Sequence, residues 1–241
     1  MNSKEMQHKL VLGDQSIYNY KGIPIFSTDG IHESVFDSFL KLNLSKDISI
    51  LILGAGAGAF DQRLIDSGYN NITSTELNPE NYLVKGTNLI EFDLNKDFSN
   101  LGKFDCIIAL EIIEHLENQF QFIRSIKSCL KDDGVLYLSS PNVENTFSRA
   151  KFYTLGKLHF FSEEELYGTG HITPIFDHIF RFNLDRNDFK IEEYFTNGNV
   201  WARLFRKFTL VTPLYILFFF LSFFTMKNNS FDINLYKIVH K

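Results

Sequence analysis

The chain has 241 residues, with 24 Lys+Arg against 29 Asp+Glu and a formal charge of −5 at pH 7. That length holds one domain with insertions, or at most two small ones, and 44% hydrophobic with 22% charged residues excludes a disordered chain. The mild acidity gives no global pull toward nucleic acid, so no nucleic-acid partner is expected.

In chain order, residues 1–30 are polar and turn-rich, and Ile31, Val35, Phe36, Phe39 and Leu40 have helical spacing over 31–42. Ile48 to Leu53 is a near-continuous apolar run, short enough for a strand buried on both faces. It ends in Gly54-Ala55-Gly56-Ala57-Gly58-Ala59-Phe60, followed by helix-compatible residues as far as Ser67-Gly68. Asn71 to Glu76, Asn88 to Phe92 and Phe104 to Leu110 read as three further strands, and 115–130 as an amphipathic helix. Asp132-Asp133-Gly134 reads as a turn and Val135 to Leu138 as a fifth strand. A helix over 175–186 has Thr173 and Pro174 as a cap and first position, and Asp188 to Phe195 and Asn234 to Val239 close the pattern as strands. Strands alternating with helices imply a parallel sheet covered on both faces. Cys106 and Cys129 have no metal-type spacing, so reduced thiols in a cytoplasmic protein are expected, with no metal.

The glycine turn carries the chemistry. Three alternating glycines after a buried strand let the chain turn sharply into a helix and let a ligand approach the backbone. Gly54-x-Gly56-x-x-Ala59 satisfies a dinucleotide fingerprint, and Gly54-x-Gly56-x-Gly58 a nucleoside-type one. Glu76 ends the next strand, where a carboxylate accepts both ribose hydroxyls and disfavours a 2′-phosphate.

The order of motifs then resembles class I S-adenosylmethionine-dependent methyltransferases of the ubiquinone-biosynthesis type, over roughly residues 31–195. After the glycine turn and Glu76 come Glu91-Phe92-Asp93-Leu94, the strand-four segment Phe104-Asp105 through Glu111-Ile112-Ile113-Glu114-His115-Leu116, and Leu130 to Asn142. The resemblance implies an α/β, Rossmann-like methyltransferase fold: a mainly parallel seven-stranded sheet with helices on both faces and its last strand antiparallel. It implies S-adenosylmethionine as cofactor, with Gly54, Ala55, Gly56 and Gly58 shaping its turn, Glu76 and Leu77 at the ribose, and Asp93 and Leu94 at the adenine. One departure stands out: the acid usual two residues before the first glycine is Ile52 here, so carbonyls or another acid, such as Glu111, are expected to take the cofactor's amino group. Methyl transfer to oxygen of a small-molecule, glycan or lipid-linked acceptor follows as the expected reaction. The segments Phe161-Ser162-Glu163-Glu164 and Gly170-His171-Ile172-Thr173-Pro174 are similar to bacterial methyltransferases associated with surface-glycan synthesis. A hydroxyl acceptor needs a base, for which His115 and His171 are candidates; a helix-start histidine bonded to backbone is the equal alternative for His115.

Two other classes compete. Ser140, Tyr153 and Lys157 match the Ser…Tyr-x-x-x-Lys spacing of short-chain NAD-dependent oxidoreductases, although Gly156 is a poor residue for the helix that motif requires. A non-catalytic adapter with a methyltransferase fold is suggested only by Ile52.

The expected layout is an arm or lid over 1–45, a core over 46–200, a hydrophobic insertion over 201–230 and the last core strand over 231–241. Of 26 Phe, six fall in 208–226, a stretch of 19 residues without a charge. Pro213 and the strand that follows argue against a full membrane span. A peripheral contact with the inner face of the membrane, a homodimer interface and a core helix all remain open for it.

Overall fold

In the computed structural model the described residues are 18–198 and 231–241, with Pro213, Ile216, Leu217 and Phe220 between them. A small hairpin, β1 (Asn19–Tyr20) with β2 (Ile23–Pro24), precedes helix α1 (Ile31–Lys41). The main sheet takes β3 (Ile50–Leu53), β4 (Ile72–Glu76), β5 (Asn88–Glu91), β6 (Phe104–Ala109), β7 (Leu130–Pro141), β8 (Phe189–Asn197) and β9 (Ile233–His240). Their order across the sheet is β5-β4-β3-β6-β7-β9-β8. The first five neighbours run parallel, and β9 lies antiparallel between β7 and β8.

The helices are α2 (Ala59–Asp66), α3 (Gln119–Cys129), α4 (Thr146–Leu155), α5 (Glu163–Gly168) and α6 (Asp177–Arg186). Alternate strand residues feed two cores. Ile50, Ile52, Cys106, Ile108 and Tyr137 pack with Phe39 of α1 and with Phe60 and Leu64 of α2. Leu51, Leu53, Ile107 and Leu136 pack with Phe122 and Ile126 of α3 and with Phe180 and Leu184 of α6. All four residues of β3 are buried because both of its faces are covered, which is why the run is apolar without alternation. Cys106 and Cys129 are free, buried thiols.

Three local expectations are corrected. The helix expected over 115–130 begins at Gln119, because the Asn118 side chain caps it by accepting from the Phe120 and Gln121 N–H groups. Ile113–His115 instead form a separate 3₁₀ turn. The Asp132-Asp133-Gly134 segment stays within β7, with a register shift opposite Phe104 and Cys106 that absorbs the irregularity. Finally, Thr173 and Pro174 do not open α6: the N-cap is Phe176, the Asp177 N–H is taken by the Glu144 carboxylate at 2.8 Å, and the Thr173 hydroxyl donates to the Leu116 carbonyl.

Most of 208–226 lies outside the described residues. Pro213, Ile216, Leu217 and Phe220 are helical, with Leu217 55% and Phe220 61% exposed. Among the described residues no helix is long and apolar enough to cross a membrane.

Candidate functional site

The carboxyl ends of β3, β4 and β6 lie side by side, the edge at which open α/β sheets take ligands. At the end of β3, Gly54, Gly56 and Gly58 have φ of +71°, +57° and +90°, values that only glycine adopts freely. The space is as restrictive as the backbone. A Cβ on Gly54 would lie 2.6 Å from the Ile112 side chain, and one on Gly58 would lie 2.6 Å from Val84 and 2.7 Å from Tyr82. One on Gly56 would meet the Phe26 ring at 3.0 Å, so the segment before α1 lies against the turn.

Glu76 ends β4 beside the turn, its carboxylate accepting from the Gly56 N–H at 2.8 Å and from the Asn78 N–H at 3.1 Å. Ala55 is half-buried, and its N–H ties the turn to β4, donating to the Thr75 carbonyl at 2.9 Å. Leu77 is 56% exposed beside Glu76. Asp93 folds its own loop, accepting from the Asn95 N–H at 3.0 Å, and Leu94 is buried beneath it. Beside the turn is a small cavity lined by His32, Ile52, Gly54, Ala55, Phe60 and Leu110. Nothing in the sequence marks His32 for a role. Its Nδ1 is buried without a partner, and its ring packs edge-on to Phe60. Burial, and secondarily the Arg63 charge, hold its pKa down at about 3.

Behind the turn, Asp61 of α2 is fully buried and accepts from the Ser74 hydroxyl and, at 2.7 Å, from the Tyr82 hydroxyl. Burial raises its pKa, and the contacts tie the loop that carries Tyr82 across Gly58.

The second half of the site follows β6. Glu111 is held with φ +52°, an uncommon value for a residue with a side chain. Ser139 of β7 fixes it twice: the Glu111 N–H donates to Ser139 Oγ at 2.8 Å, and that hydroxyl donates to the Glu111 carboxylate at 3.2 Å. Burial pushes the Glu111 pKa up to about 8. Glu114, in the 3₁₀ turn, is wholly buried, and burial with the like charge of Glu111 raises its pKa further.

His115 and His171, far apart in sequence, meet here, with ring centroids 4.8 Å apart and planes at 78°. Backbone stitching brings them together. The Ile172 and Thr173 N–H groups both donate to the Glu114 carbonyl, at 3.0 and 2.9 Å. His171 Nδ1 lies 2.9 Å from the Phe160 carbonyl. Burial lowers the pKa of both rings, that of His115 to about 4, so both are neutral near pH 7. His115 closes the 3₁₀ turn Ile113–His115 and does not start the α-helix that begins at Gln119.

The oxidoreductase constellation does not form. Ser140 is fully buried in β7, whereas Tyr153 on α4 is 75% exposed. The helix ends at Gly156, in the left-handed conformation, so Lys157 falls outside it and pairs with Glu163 at 3.1 Å.

A family model described as a methyltransferase domain matches residues 31–173. Among curated proteins, the ubiquinone biosynthesis O-methyltransferase of Actinobacillus pleuropneumoniae serotype 7 (strain AP76) is 28% identical over 107 residues, covering 39% of this chain and 45% of that protein. The matched stretch thus spans less than half of that relative. Among solved structures, a SAM-dependent methyltransferase from Archaeoglobus fulgidus has a TM-score of 0.59 at 15% identity, covering 87% of this chain and 94% of its own. The magnesium protoporphyrin IX methyltransferase of Synechocystis PCC 6803, solved with bound SAH, has a TM-score of 0.56 at 15% identity over 100% and 95% of the two chains. These likenesses make the architecture the Rossmann-like methyltransferase fold. With the family model covering more than half of the residues, from α1 through the glycine turn to the His115–His171 pair, the chain belongs to the methyltransferase-domain family.

Proposed function

We propose that this protein transfers the methyl group of S-adenosylmethionine to an oxygen of a small-molecule, glycan or lipid-linked acceptor. The observation that carries the reading is the pairing of a glycine turn bearing the Glu76 carboxylate with a polar Glu111–Glu114–His115–His171 cluster at the same sheet edge. The sulfonium supplies an already activated methyl, so the chain's residues need only bind, align and desolvate.

In this reading Gly54, Ala55, Gly56 and Gly58 let the cofactor approach the backbone, and Glu76 exchanges its bond from Gly56 for the two ribose hydroxyls. Leu77, Asp93 and Leu94 flank the adenine. Ile52, buried in β3, offers no charge to the cofactor's amino group, and Glu111 takes that place. His115 and His171 meet the acceptor's hydroxyl. An oxygen acceptor is supported by the curated relatives, which are O-methyltransferases of ubiquinone biosynthesis. The exposed apolar residues Leu217 and Phe220 support a surface that brings the site to a membrane or to a second copy of the chain.

The test is ligand binding followed by product analysis. S-adenosylhomocysteine should raise the melting temperature and NAD should not. Mass spectrometry of hydroxylated acceptors incubated with S-adenosylmethionine should then find a methyl ether. Absence of any shift with S-adenosylhomocysteine overturns the cofactor assignment, and a methylated nitrogen or carbon overturns the oxygen.

A further inference from the structure

Asp61 is a carboxyl that the glycine turn does not itself require. It lies in the first turn of α2, where an acid suits the helix dipole, and it is fully buried. A solvated acid would suit the dipole as well, whereas burying one is costly unless its contacts offset the lost water. Among the described residues no Lys or Arg pairs with it. Its Oδ2 has no hydrogen-bond partner, and its Oδ1 takes two hydroxyls, that of Ser74 in β4 and, at 2.7 Å, that of Tyr82. Burial has aimed this acceptor away from solvent and at a side chain outside the helix.

Tyr82 lies midway along residues 77–87, which connect β4 to β5. Parallel neighbours are usually joined by a crossover that contains an α-helix, but this one holds only the 3₁₀ turn Pro79–Asn81. The connection is therefore a strap, and of its aliphatic side chains Val84 is buried while Leu77 and Leu83 are exposed. Polar contacts fix it at both ends. At one end the Tyr82 hydroxyl donates to Asp61 and meets the Thr87 hydroxyl at 2.7 Å, while the Leu83 N–H donates to the Ala57 carbonyl at 3.1 Å. At the other end the Asn78 N–H donates to the Glu76 carboxylate. Between them the Asn81 N–H donates to the Asn78 carbonyl and the Tyr82 N–H to the Pro79 carbonyl, both at 3.1 Å. Contacts thus run without a break from Asp61 through Tyr82 and the 3₁₀ turn to Asn78 and Glu76. When the ribose displaces the Gly56 N–H from Glu76, the bond from Asn78 is the one that stays.

We propose that Asp61 is a positioning residue for the cofactor's ribose: through Tyr82 it fixes the strap, and through Asn78 the strap aims the Glu76 carboxylate. The inference rests on the ribose role given to Glu76 above. It accounts for two features at once, a buried carboxyl without a cation and a parallel crossover without a helix. With the clasp open, Glu76 would share its time between the turn and solvent. Binding would then have to order the carboxylate as well as the ligand, and affinity falls by that ordering cost.

The test is calorimetry on the full chain with two ligands, S-adenosylhomocysteine and its 2′,3′-dideoxy analogue, which lacks both ribose hydroxyls. The native chain should bind the first more tightly. Tyr82→Phe keeps the ring over Gly58 and removes only the hydroxyl. It should weaken S-adenosylhomocysteine about 5–10-fold and the dideoxy analogue less than about 2-fold, the size expected for a hydrogen bond whose acceptor is no longer held in place. Asp61→Ala should behave alike, and Asp61→Asn, which keeps an acceptor oxygen for both hydroxyls, should restore most of the affinity. If Asp61→Ala fails to fold, Tyr82→Phe carries the test alone. A clasp that serves stability only would lower the melting temperature and weaken both ligands equally. That result, or a native preference that Tyr82→Phe leaves intact, overturns the proposal while the ribose role of Glu76 stands. A native chain that binds the two ligands equally refutes the ribose role, and the proposal with it.

Discussion

At the scale of single residues, the site is legible where one residue answers one geometric demand. Glu76 stands out by its spacing from the glycine motif at the end of the next strand, and its carboxylate lies 2.8 Å from the Gly56 N–H. If the ribose assignment is right, Glu76→Ala should cost about 1–3 kcal/mol of S-adenosylhomocysteine binding by calorimetry, and an unchanged affinity removes the assignment. His32 was not legible: an unremarkable histidine at helical spacing becomes notable only when its Nδ1 proves buried beside the glycine turn. Its folded pKa of about 3 lies below the unfolded value near 6.5. Between those values the unfolded chain binds more protons, so stability falls as pH drops through that window. His32→Phe, which keeps a ring against Phe60, should therefore lose less stability than the native chain between pH 7 and pH 5, read from urea midpoints. The slope should shrink without vanishing, because His115 and His171 are held low in the same way.

At the scale of elements, apolar runs identified the buried strands well, since a segment covered on both faces has no room for polar residues. Boundaries and small elements were harder. The β1–β2 hairpin is two residues per strand, too short to show a period. The turn signal of Asp132-Asp133-Gly134 survives as an irregularity inside β7: pairing with β6 places Leu130 opposite Phe104 and resumes with Val135 opposite Cys106, so the segment between bulges out of register. The helix start at Gln119 was signalled by Asn118, whose side chain takes two N–H groups at 3.1 and 3.0 Å. Missing that cap is what placed His115 in a helix. Asn118→Ala should lower stability by about 0.5–2 kcal/mol, visible as a reduced urea midpoint, with Asn118→Ser recovering most of the loss. The helices α4 and α5 escaped notice because their apolar residues, among them Phe152, Tyr153, Leu166 and Tyr167, are largely exposed and give no core-facing stripe.

At the scale of the whole molecule, the parallel order and the antiparallel final strand follow the expectation, and the apolar stretch before that strand is the feature to test. Cells expressing the chain should yield it in the membrane fraction, and a 208–226 deletion should move it to the supernatant. A shift from dimer to monomer on sizing would assign the stretch to a partner copy. A native chain that is monomeric and fully soluble without detergent would end both ideas. The placement of β9 also bears on how the chain is made. It joins β7 to β8, yet both are synthesised before it. Until residues 233–240 emerge, β7 and β8 each lack the partner that β9 supplies, the condition under which strands recruit the wrong neighbour. The newborn protein thus spends its most aggregation-prone interval waiting for residues 233–240, and a chaperone's protection would matter most while that apolar stretch is leaving the exit tunnel.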